Sequence, residues 1–351
     1  MLKTFRNLLK LNRRPPPVGQ TPHTVVHREN KWRLLRFAPA TRRFQKPILM
    51  VPSLINRWYV LDLMPERSLT EWLVAQGHEV YIIDWGTPGD EDRYLTFDDV
   101  VGRYIRRALR KTCEHADSRD AHVLGYCMGG TLAAIHAAVY PDRIASLTAL
   151  AAPVAFDDDG LLAAWTKSDA FDPHAFVQAF GNAPWPLLQA SFTMLRPTLN
   201  LSKLVFLVDA AVVDRAWNDP FLNGFFAKER WANDNVSLPG EVFRTWVQDI
   251  YRDDALTRGT LRLDGRPVRL DAIAMPLHVI TFEDDYIVPK SSAQPLIDRA
   301  ASDDIEATHM RGGHVGAVIS SSAAKHLWPV LRSWWAQRDG RKGERGLARV
   351  G

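Results

Sequence analysis

The residue best suited to nucleophilic chemistry is Cys127, which lies in the stretch Gly-Tyr-Cys-Met-Gly-Gly at positions 125–130. An apolar stretch at 121–124 predicts a buried strand before it, and an alanine-rich stretch at 131–139 predicts a helix after it. Glycines allow a turn too tight for side chains, and the helix N-terminus that follows favours the reactive thiolate. Because a lone cysteine is usually buried and inert, the prediction of a nucleophile elbow also requires an acid and a histidine.

Both partners follow later in the chain, in the order acid and then base. Asp285 comes just after a predicted strand at 277–282, and His314 comes just after a predicted strand near 305–310. The carboxyl ends of parallel strands meet at one edge of a sheet, so these side chains can converge on Cys127. His314 would take and return the thiol proton, while Asp285 would hold the imidazole in the required tautomer.

Alternatives remain for each partner at this point. Glu283 or Asp284 could replace Asp285 as the acid, because all three belong to one loop. His309 is a weaker candidate base, since it falls within the predicted strand rather than past its end.

An oxyanion hole needs two backbone N–H groups beside the nucleophile. One candidate is the N–H of Met128, directly after Cys127. The other is the N–H of Ile55 or a neighbour, in the loop that follows a predicted buried strand at 47–51.

The elements that must position these residues alternate between strand and helix. Nucleophile, acid and histidine in that order are typical of the α/β-hydrolase fold, an α/β fold with a mostly parallel sheet flanked by helices. An antiparallel hairpin is predicted at 24–37, a helix at 65–76 and further strands at 79–84 and 143–150. The predicted organisation is a basic amphipathic arm at 1–20, a core at 21–155 and 260–337, a helical cap at 156–259 and a disordered tail at 338–351.

Composition narrows the classes of function. The 351 residues carry a net charge of +4, with basic residues gathered at the two ends, so a nucleic-acid groove is not expected. The histidines show no metal-type clustering and no nucleotide-binding motif occurs, so neither a metal nor a cofactor is predicted.

The sequence has two cysteines, Cys113 and Cys127. Because Cys113 falls on a polar helical stretch, a structural disulfide is not expected, and a reducing cytoplasm is the favoured location. In residues 1–14, apolar residues recur at helical spacing with basic residues between them, which predicts a basic amphipathic helix. This helix could dock to an anionic surface or to a partner subunit, or it could be a solvated terminus.

A cysteine nucleophile favours acyl transfer from a thioester. A thiol accepts an acyl group from another thioester at nearly equal free energy, so the acyl-enzyme stays activated and can pass its acyl group to an alcohol. Cysteine hydrolases also exist, so hydrolysis remains an alternative.

Several motifs together resemble the poly(3-hydroxyalkanoate) synthase family. The matching segments are the box at 125–130, the stretch from Leu54 to Leu69, the stretch Val80 to Gly86, and Gly-Gly-His-Val-Gly at 312–316. The similarity runs from about residue 20 to 337, and the short N-terminal arm is most similar to the class III catalytic subunit.

This resemblance implies polymerisation of (R)-3-hydroxyacyl-CoA with release of CoA, the thioester being the substrate rather than a cofactor. It implies Cys127 as acyl carrier, His314 as base, and Asp285 as the acid that helps activate the hydroxyl of the incoming or growing chain. It also implies a homodimer, a non-catalytic partner subunit, and residence at the surface of cytoplasmic polyester granules.

The chain departs from the family pattern at two positions that bear on substrate choice. Tyr286 follows Asp285 where the family usually has His, and Ala155 stands where the family usually has Asp. The alternative functions are a thioesterase, esterase or polyester depolymerase on the same fold, or a non-catalytic granule-binding protein, against which the complete triad argues.

Overall fold

A computed structural model describes residues 16–156, 161–194 and 219–339. Its centre is an eight-stranded sheet with strand order β1-β2-β4-β3-β5-β6-β9-β10. The first two strands form an antiparallel hairpin at one edge and β2 runs antiparallel to β4, whereas the other pairings are parallel. The strands are β1 (Thr24–Glu29), β2 (Trp32–Phe37), β3 (Ile48–Val51), β4 (Val80–Asp84), β5 (Ala121–Tyr126), β6 (Ile144–Leu150), β7 (Arg262–Leu263), β8 (Arg266–Pro267), β9 (Leu277–Phe282) and β10 (Ile305–Met310).

The central strands form because their sequences are mostly apolar and both faces of the sheet are covered. Every residue of β3, β4, β5 and β9 is buried, as expected for parallel strands between helices. The predicted fold class, a mostly parallel sheet flanked by helices, is therefore confirmed. The short pair β7 and β8 forms a separate antiparallel hairpin.

Helices cover the sheet and form a segment between β6 and β9. The helices are α1 (Leu69–Ala75), α2 (Ile105–His115), α3 (Met128–Val139), α4 (Leu161–Lys167), α5 (Pro173–Phe180), α6 (Trp185–Met194), α7 (Asp219–Ala232), α8 (Gly240–Thr245), α9 (Ala255–Arg258), α10 (Lys290–Arg299), α11 (Gly316–Ile319) and α12 (Ser321–Gln337). Wider π-helical turns occupy Asp98–Tyr104 and Trp246–Arg252. We refer to the described residues from the start of α4 to the end of α9 as the cap. Within the ranges described, no helix combines the length and apolar character needed to span a bilayer.

Two predicted boundaries were wrong for local reasons. Helix α1 begins at Leu69 rather than at 65, because the Ser68 hydroxyl caps it by accepting a hydrogen bond from the Glu71 N–H at 2.8 Å. Part of the stretch before it, Trp58–Asp62, forms a 3-10 helix. The elbow helix begins at Met128 rather than at 131, so strand and helix are separated by a single residue, Cys127.

Both ends of the described part of the chain make hydrogen bonds to the core. Asp339 is buried and accepts hydrogen bonds from the backbone N–H groups of Gln45 and Lys46, at 2.9 and 2.7 Å. Asp339, the second residue of the predicted tail, is therefore held against the core. Near the other end, the Gly19 N–H bonds to the Asp62 carbonyl at 2.9 Å, so the end of the predicted arm is held to the core. The amphipathic pattern at 1–14 and the tail at 340–351 lie outside the described residues.

Candidate active site

The backbone at Cys127 has the shape of a nucleophile elbow. The residue caps α3 with φ 56° and ψ −131°, a region that residues other than glycine rarely occupy. Its N–H bonds to the Leu150 carbonyl at 2.9 Å, and its carbonyl accepts from the Gly130 N–H at 2.8 Å. Strained backbone of this kind persists only where surrounding structure holds it, and it is concentrated at functional sites.

Glycines permit the close approach that the elbow requires. A methyl group at Gly129 would overlap the carbonyl oxygen of Val51, and one at Gly125 would overlap the Cα of Gly130. The loop after β3 therefore lies in direct backbone contact with the first turn of α3. This contact brings the segment containing Ile55 next to Met128.

The acid and the histidine meet in the interior beside the elbow. The Nδ1 atom of His314 lies 2.7 Å from Oδ2 of Asp285, and both side chains are almost fully buried. The other carboxylate oxygen of Asp285 accepts the backbone N–H groups of Ile287 and Val288 at 3.0 and 2.8 Å. Each carboxylate oxygen thus has a fixed partner, and the imidazole keeps Nε2 available for Cys127.

The electrostatics of this cluster favour a charged imidazole. Burial works against the imidazolium, but the charge of Cys127 and hydrogen bonds to Asp285 and Cys127 outweigh it and raise the pKa of His314 to about 10. A protonated His314 beside a thiolate is the pairing that makes a cysteine nucleophilic near neutral pH. Burial raises the pKa of the other thiol, Cys113, to about 11, which keeps it in the inert thiol form.

The structure separates the alternatives that the sequence left open. Glu283 and Asp284 are exposed, and Glu283 faces Arg311 at 4.0 Å rather than the histidine. His309 is also exposed, with its Nδ1 atom 2.9 Å from the Thr281 hydroxyl oxygen. Of these candidates, the structure brings Asp285 and His314 together with Cys127.

The second cysteine, Cys113, is buried although its neighbours in sequence are polar. Neither Cys113 nor Cys127 forms a disulfide.

The two candidate oxyanion donors come from the elbow and the neighbouring loop. As the first residue of α3, Met128 has an N–H without an intrahelical acceptor. The Ile55 N–H makes a long contact of 3.4 Å to the Ser53 hydroxyl oxygen. The loop is anchored by Trp85, whose indole N–H bonds to the Pro52 carbonyl at 2.9 Å.

A cavity of about 230 Å³ opens onto the thiol and the imidazole. Its walls include Tyr286, one of the two departures from the family pattern, and the cap residues Gln189 and Asn235. A second cavity of about 520 Å³, lined mainly by apolar side chains of the cap, shares Ile55 and Phe192 with the first. The aromatic residues of the cap thus both pack together and line space beside the site.

Sequence reasoning missed the contributions of Tyr126 and of the cap to this site. Tyr126 contacts His314 through both its hydroxyl and its ring, although the two are 188 residues apart. Gln189 and Asn235 line the cavity as polar residues within an aromatic segment. For Tyr126, the only sequence signal of a role at the site was its position directly before Cys127. No local sequence pattern marked Gln189 or Asn235 as residues of the site.

Comparison with known proteins identifies the superfamily to which the chain belongs. The sequence model described as the alpha/beta hydrolase fold matches residues 46–304, and that described as the N-terminus of poly-beta-hydroxybutyrate polymerase (PhaC) matches residues 16–73. A soluble variant of monoglyceride lipase from Saccharomyces cerevisiae has the same fold, with a TM-score of 0.55 at 12% identity over 93% of this chain and 100% of the lipase chain. The strand order of the sheet, the elbow and the match to the hydrolase sequence model define a member of the α/β-hydrolase superfamily, with Cys127 at the apex of its elbow.

Two relatives define the family more narrowly. The chain is 37% identical over 324 residues to the poly(3-hydroxyalkanoate) polymerase subunit PhaC of Haloferax mediterranei, covering 92% of this chain and 65% of that protein. It is 32% identical over 344 residues to the protein of the same name from Synechocystis, covering 96% of this chain and 90% of that protein. The chain therefore belongs to the poly(3-hydroxyalkanoate) polymerase PhaC family, a family of enzymes. Among the residues with described positions, no cluster of His, Cys, Asp and Glu side chains is arranged to hold a metal ion.

Proposed function

We propose that this protein polymerises (R)-3-hydroxyacyl-CoA into polyhydroxyalkanoate by acyl transfer through Cys127. The observation that carries the proposal is the buried Asp285–His314 pair, with its 2.7 Å contact, beside a cysteine at the apex of the elbow. Membership of the PhaC family supports the reaction and its substrate class.

In the first half-reaction, the thiolate of Cys127 attacks the thioester carbonyl carbon of a hydroxyacyl-CoA. A carbon–sulfur bond to Cys127 forms, the bond to the CoA sulfur breaks, and the departing thiolate takes the proton from Nε2 of His314. The N–H groups of Met128 and Ile55 would stabilise the oxyanion, and losing one such donor typically costs about 3 kcal/mol of barrier.

In the second half-reaction, the hydroxyl group of an incoming or growing chain attacks the acyl thioester. Its proton passes to Nε2 of His314, whose other nitrogen is held by Asp285, and an ester bond replaces the thioester. The step proceeds because the acyl group on sulfur is still activated, which a serine ester would not provide to the same degree.

Partners and location follow from the same proposal. The substrate is a hydroxyacyl-CoA and the product a polyester, so the enzyme would remain at the surface of granules formed by its insoluble product in the cytoplasm. The relatives are named as polymerase subunits, which supports a partner subunit. We propose in addition that the partner is non-catalytic and that the protein forms a homodimer, as the resemblance to the family implies. The basic stretch at 1–14 is a candidate for contact with the partner or the granule.

Mass spectrometry of the intact protein after incubation with 3-hydroxybutyryl-CoA tests the proposal. We expect a ladder of masses separated by one hydroxybutyryl unit, carried on Cys127 and accompanied by release of CoA. A Cys127→Ala variant should carry no ladder, whereas Cys113→Ser, which changes the buried free thiol, should retain it.

Release of CoA with only the free monomer acid as product, with and without a candidate partner subunit, would instead identify a thioesterase. A Cys127→Ser variant also distinguishes a polymerase from a thioesterase. A hydrolase should keep more of its activity in this variant, because it tolerates an oxygen ester intermediate better than an enzyme that relies on thioester exchange.

A further inference from the structure

The loop after β3 is joined to the cap by a short stretch of antiparallel pairing. Asn56 and Asn235 form an isolated β-bridge, and the Val236 N–H bonds to the Ile55 carbonyl at 3.1 Å. The indole N–H of Trp231 adds a bond of 3.0 Å to the Arg57 carbonyl. We call this set of contacts between residues 55–59 and 231–236 the clasp.

One carboxylate lies at the centre of the clasp. Asp234 accepts a hydrogen bond from Nε of Arg57 at 3.0 Å on one oxygen and from the hydroxyl of Tyr59 at 2.6 Å on the other. The Tyr59 hydroxyl remains a donor, because burial and the bond to Asp234 hold its pKa well above the ordinary value. Arg57 reaches further to the Thr87 hydroxyl at 3.0 Å, which ties the same loop to the segment after β4.

The energy of these contacts is not what makes them important. The Asp234 side chain is 43% exposed, so its ion pair with Arg57 adds little to stability in water. The effect of the clasp on geometry is larger, because it holds the backbone carbonyl groups of Ile55 and Arg57, which lie on either side of Asn56. A displacement of about 1 Å at a catalytic group can reduce a rate by about a hundredfold.

We infer that Asp234 is a positioning residue, which acts through Arg57 and Tyr59 to hold the N–H of Ile55 at the oxyanion site. The inference rests on the proposed function to the extent that Ile55 serves as an oxyanion donor for chemistry at Cys127. It also couples the cap to catalysis, since any movement of 231–236 would displace the loop that completes the oxyanion hole.

An Asp234→Ala variant tests this inference with two reactions of Cys127. Acylation by p-nitrophenyl acetate, measured as the burst that Cys127→Ala lacks, requires oxyanion stabilisation, whereas alkylation by iodoacetamide requires only the thiolate. We expect the burst rate to fall by about 10–100-fold. The alkylation rate and its pH profile should stay within about twofold of the parent values, because the triad is intact.

Glu241→Gln is the matched control. Glu241 is a carboxylate of the cap paired with Arg244 at 2.8 Å, away from the loop after β3. Its loss removes the same charge without touching the clasp, so both rates should remain at the parent level. A Tyr59→Phe variant, which keeps the ring and removes one bond to Asp234, should slow the burst in the same direction by a smaller factor.

Hydrogen exchange supplies a readout that does not depend on any activity. Backbone amides in 53–58 should exchange faster in Asp234→Ala than in Glu241→Gln. Parent-like exchange and a parent-like burst in Asp234→Ala would overturn the inference, as would an equal loss of burst and alkylation rates. Because neither probe is a hydroxyacyl-CoA, failure to polymerise would leave this test unaffected.

Discussion

The hydroxyl of Tyr126 donates a hydrogen bond of 3.1 Å to the backbone carbonyl of His314, and the two rings lie 5.5 Å apart at an interplanar angle of 27°. Tyr126 is the last residue of β5 and directly precedes Cys127. The strand that presents the thiol therefore also contacts His314, through its backbone carbonyl and its ring.

Tyr126→Phe keeps this ring and removes the hydrogen bond. We expect acylation of Cys127 to slow several-fold with KM within about twofold of the parent, because the variant disturbs the imidazole rather than substrate binding. Stability should fall by about 1–3 kcal/mol through the unpartnered carbonyl.

Tyr81→Phe is the control for this substitution. It removes a buried hydrogen bond of 2.8 Å from Tyr81 in β4 to Glu79, which directly precedes the strand. It should lower the free energy of unfolding to a similar degree while leaving the acylation rate unchanged. Equal kinetic effects of the two variants would contradict a specific support of His314 by Tyr126.

Asp285→Asn should reduce the acylation rate by about 10⁴-fold, the loss that follows when the acid of such a triad becomes an amide. The backbone N–H groups of Ile287 and Val288 would retain the amide oxygen, which turns the NH₂ group toward His314. Nδ1 of the imidazole would then have to accept, so Nε2 would carry the proton and could no longer take one from a thiol or hydroxyl. The exposed Asp284→Asn serves as the control; a comparable loss there would show that the acid had been assigned to the wrong carboxylate.

Gly129→Ala should destabilise the protein by about 1–3 kcal/mol or more, because the added methyl group would overlap the carbonyl oxygen of Val51. Thermal unfolding of the variant measures this directly. Gly316→Ala is a matched change at the start of another helix, where no atom lies within 4 Å of the added carbon. A melting temperature for Gly129→Ala as high as that of Gly316→Ala would refute the close contact between the elbow and the loop after β3.

His78 makes the stability of the fold sensitive to acid. Its ring stacks on Phe44 at 3.7 Å, and neither ring nitrogen has a hydrogen-bond partner among the residues that the structure describes. Burial, with the nearby charge of Arg332, lowers the pKa of His78 to about 3. Below its ordinary value of about 6.5, the unfolded chain binds a proton that the folded protein excludes, so stability falls as the pH drops toward 3.

A His78→Phe variant should therefore be less sensitive to acid than the parent. From about pH 7 to pH 5, the loss in free energy of unfolding should be smaller by about 2 kcal/mol, as measured by chemical denaturation. The remaining acid sensitivity reflects other buried histidines, such as His122, whose pKa is lowered to about 3 by burial and by nearby charges. The exposed His326→Gln should leave the pH dependence unchanged, and an unchanged slope in His78→Phe would count against the assignment.

Much of the fold was determined by short stretches of sequence. Mostly apolar runs predicted the buried strands β3, β4, β6 and β9, because a strand covered on both faces places most of its side chains in the core. The glycine-flanked Cys127 predicted the elbow, since only glycine permits the backbone contacts there. The order of Cys127, Asp285 and His314 along the chain predicted that strand ends would gather them. The boundaries of α1 and α3 were wrong, because caps and turns at single residues set them.

The tertiary structure decided which neighbouring residues face the site. Glu283, Asp284 and Asp285 are adjacent and chemically alike, but packing of the loop after β9 buries Asp285 against His314 and leaves the other two exposed. The supports that Tyr126 and Asp234 provide join residues separated by 188 and 175 positions, respectively, along the chain. Local sequence sets which residues are polar, apolar or flexible, whereas the direction and depth of each side chain depend on elements that meet only when the whole sheet and its cap have packed.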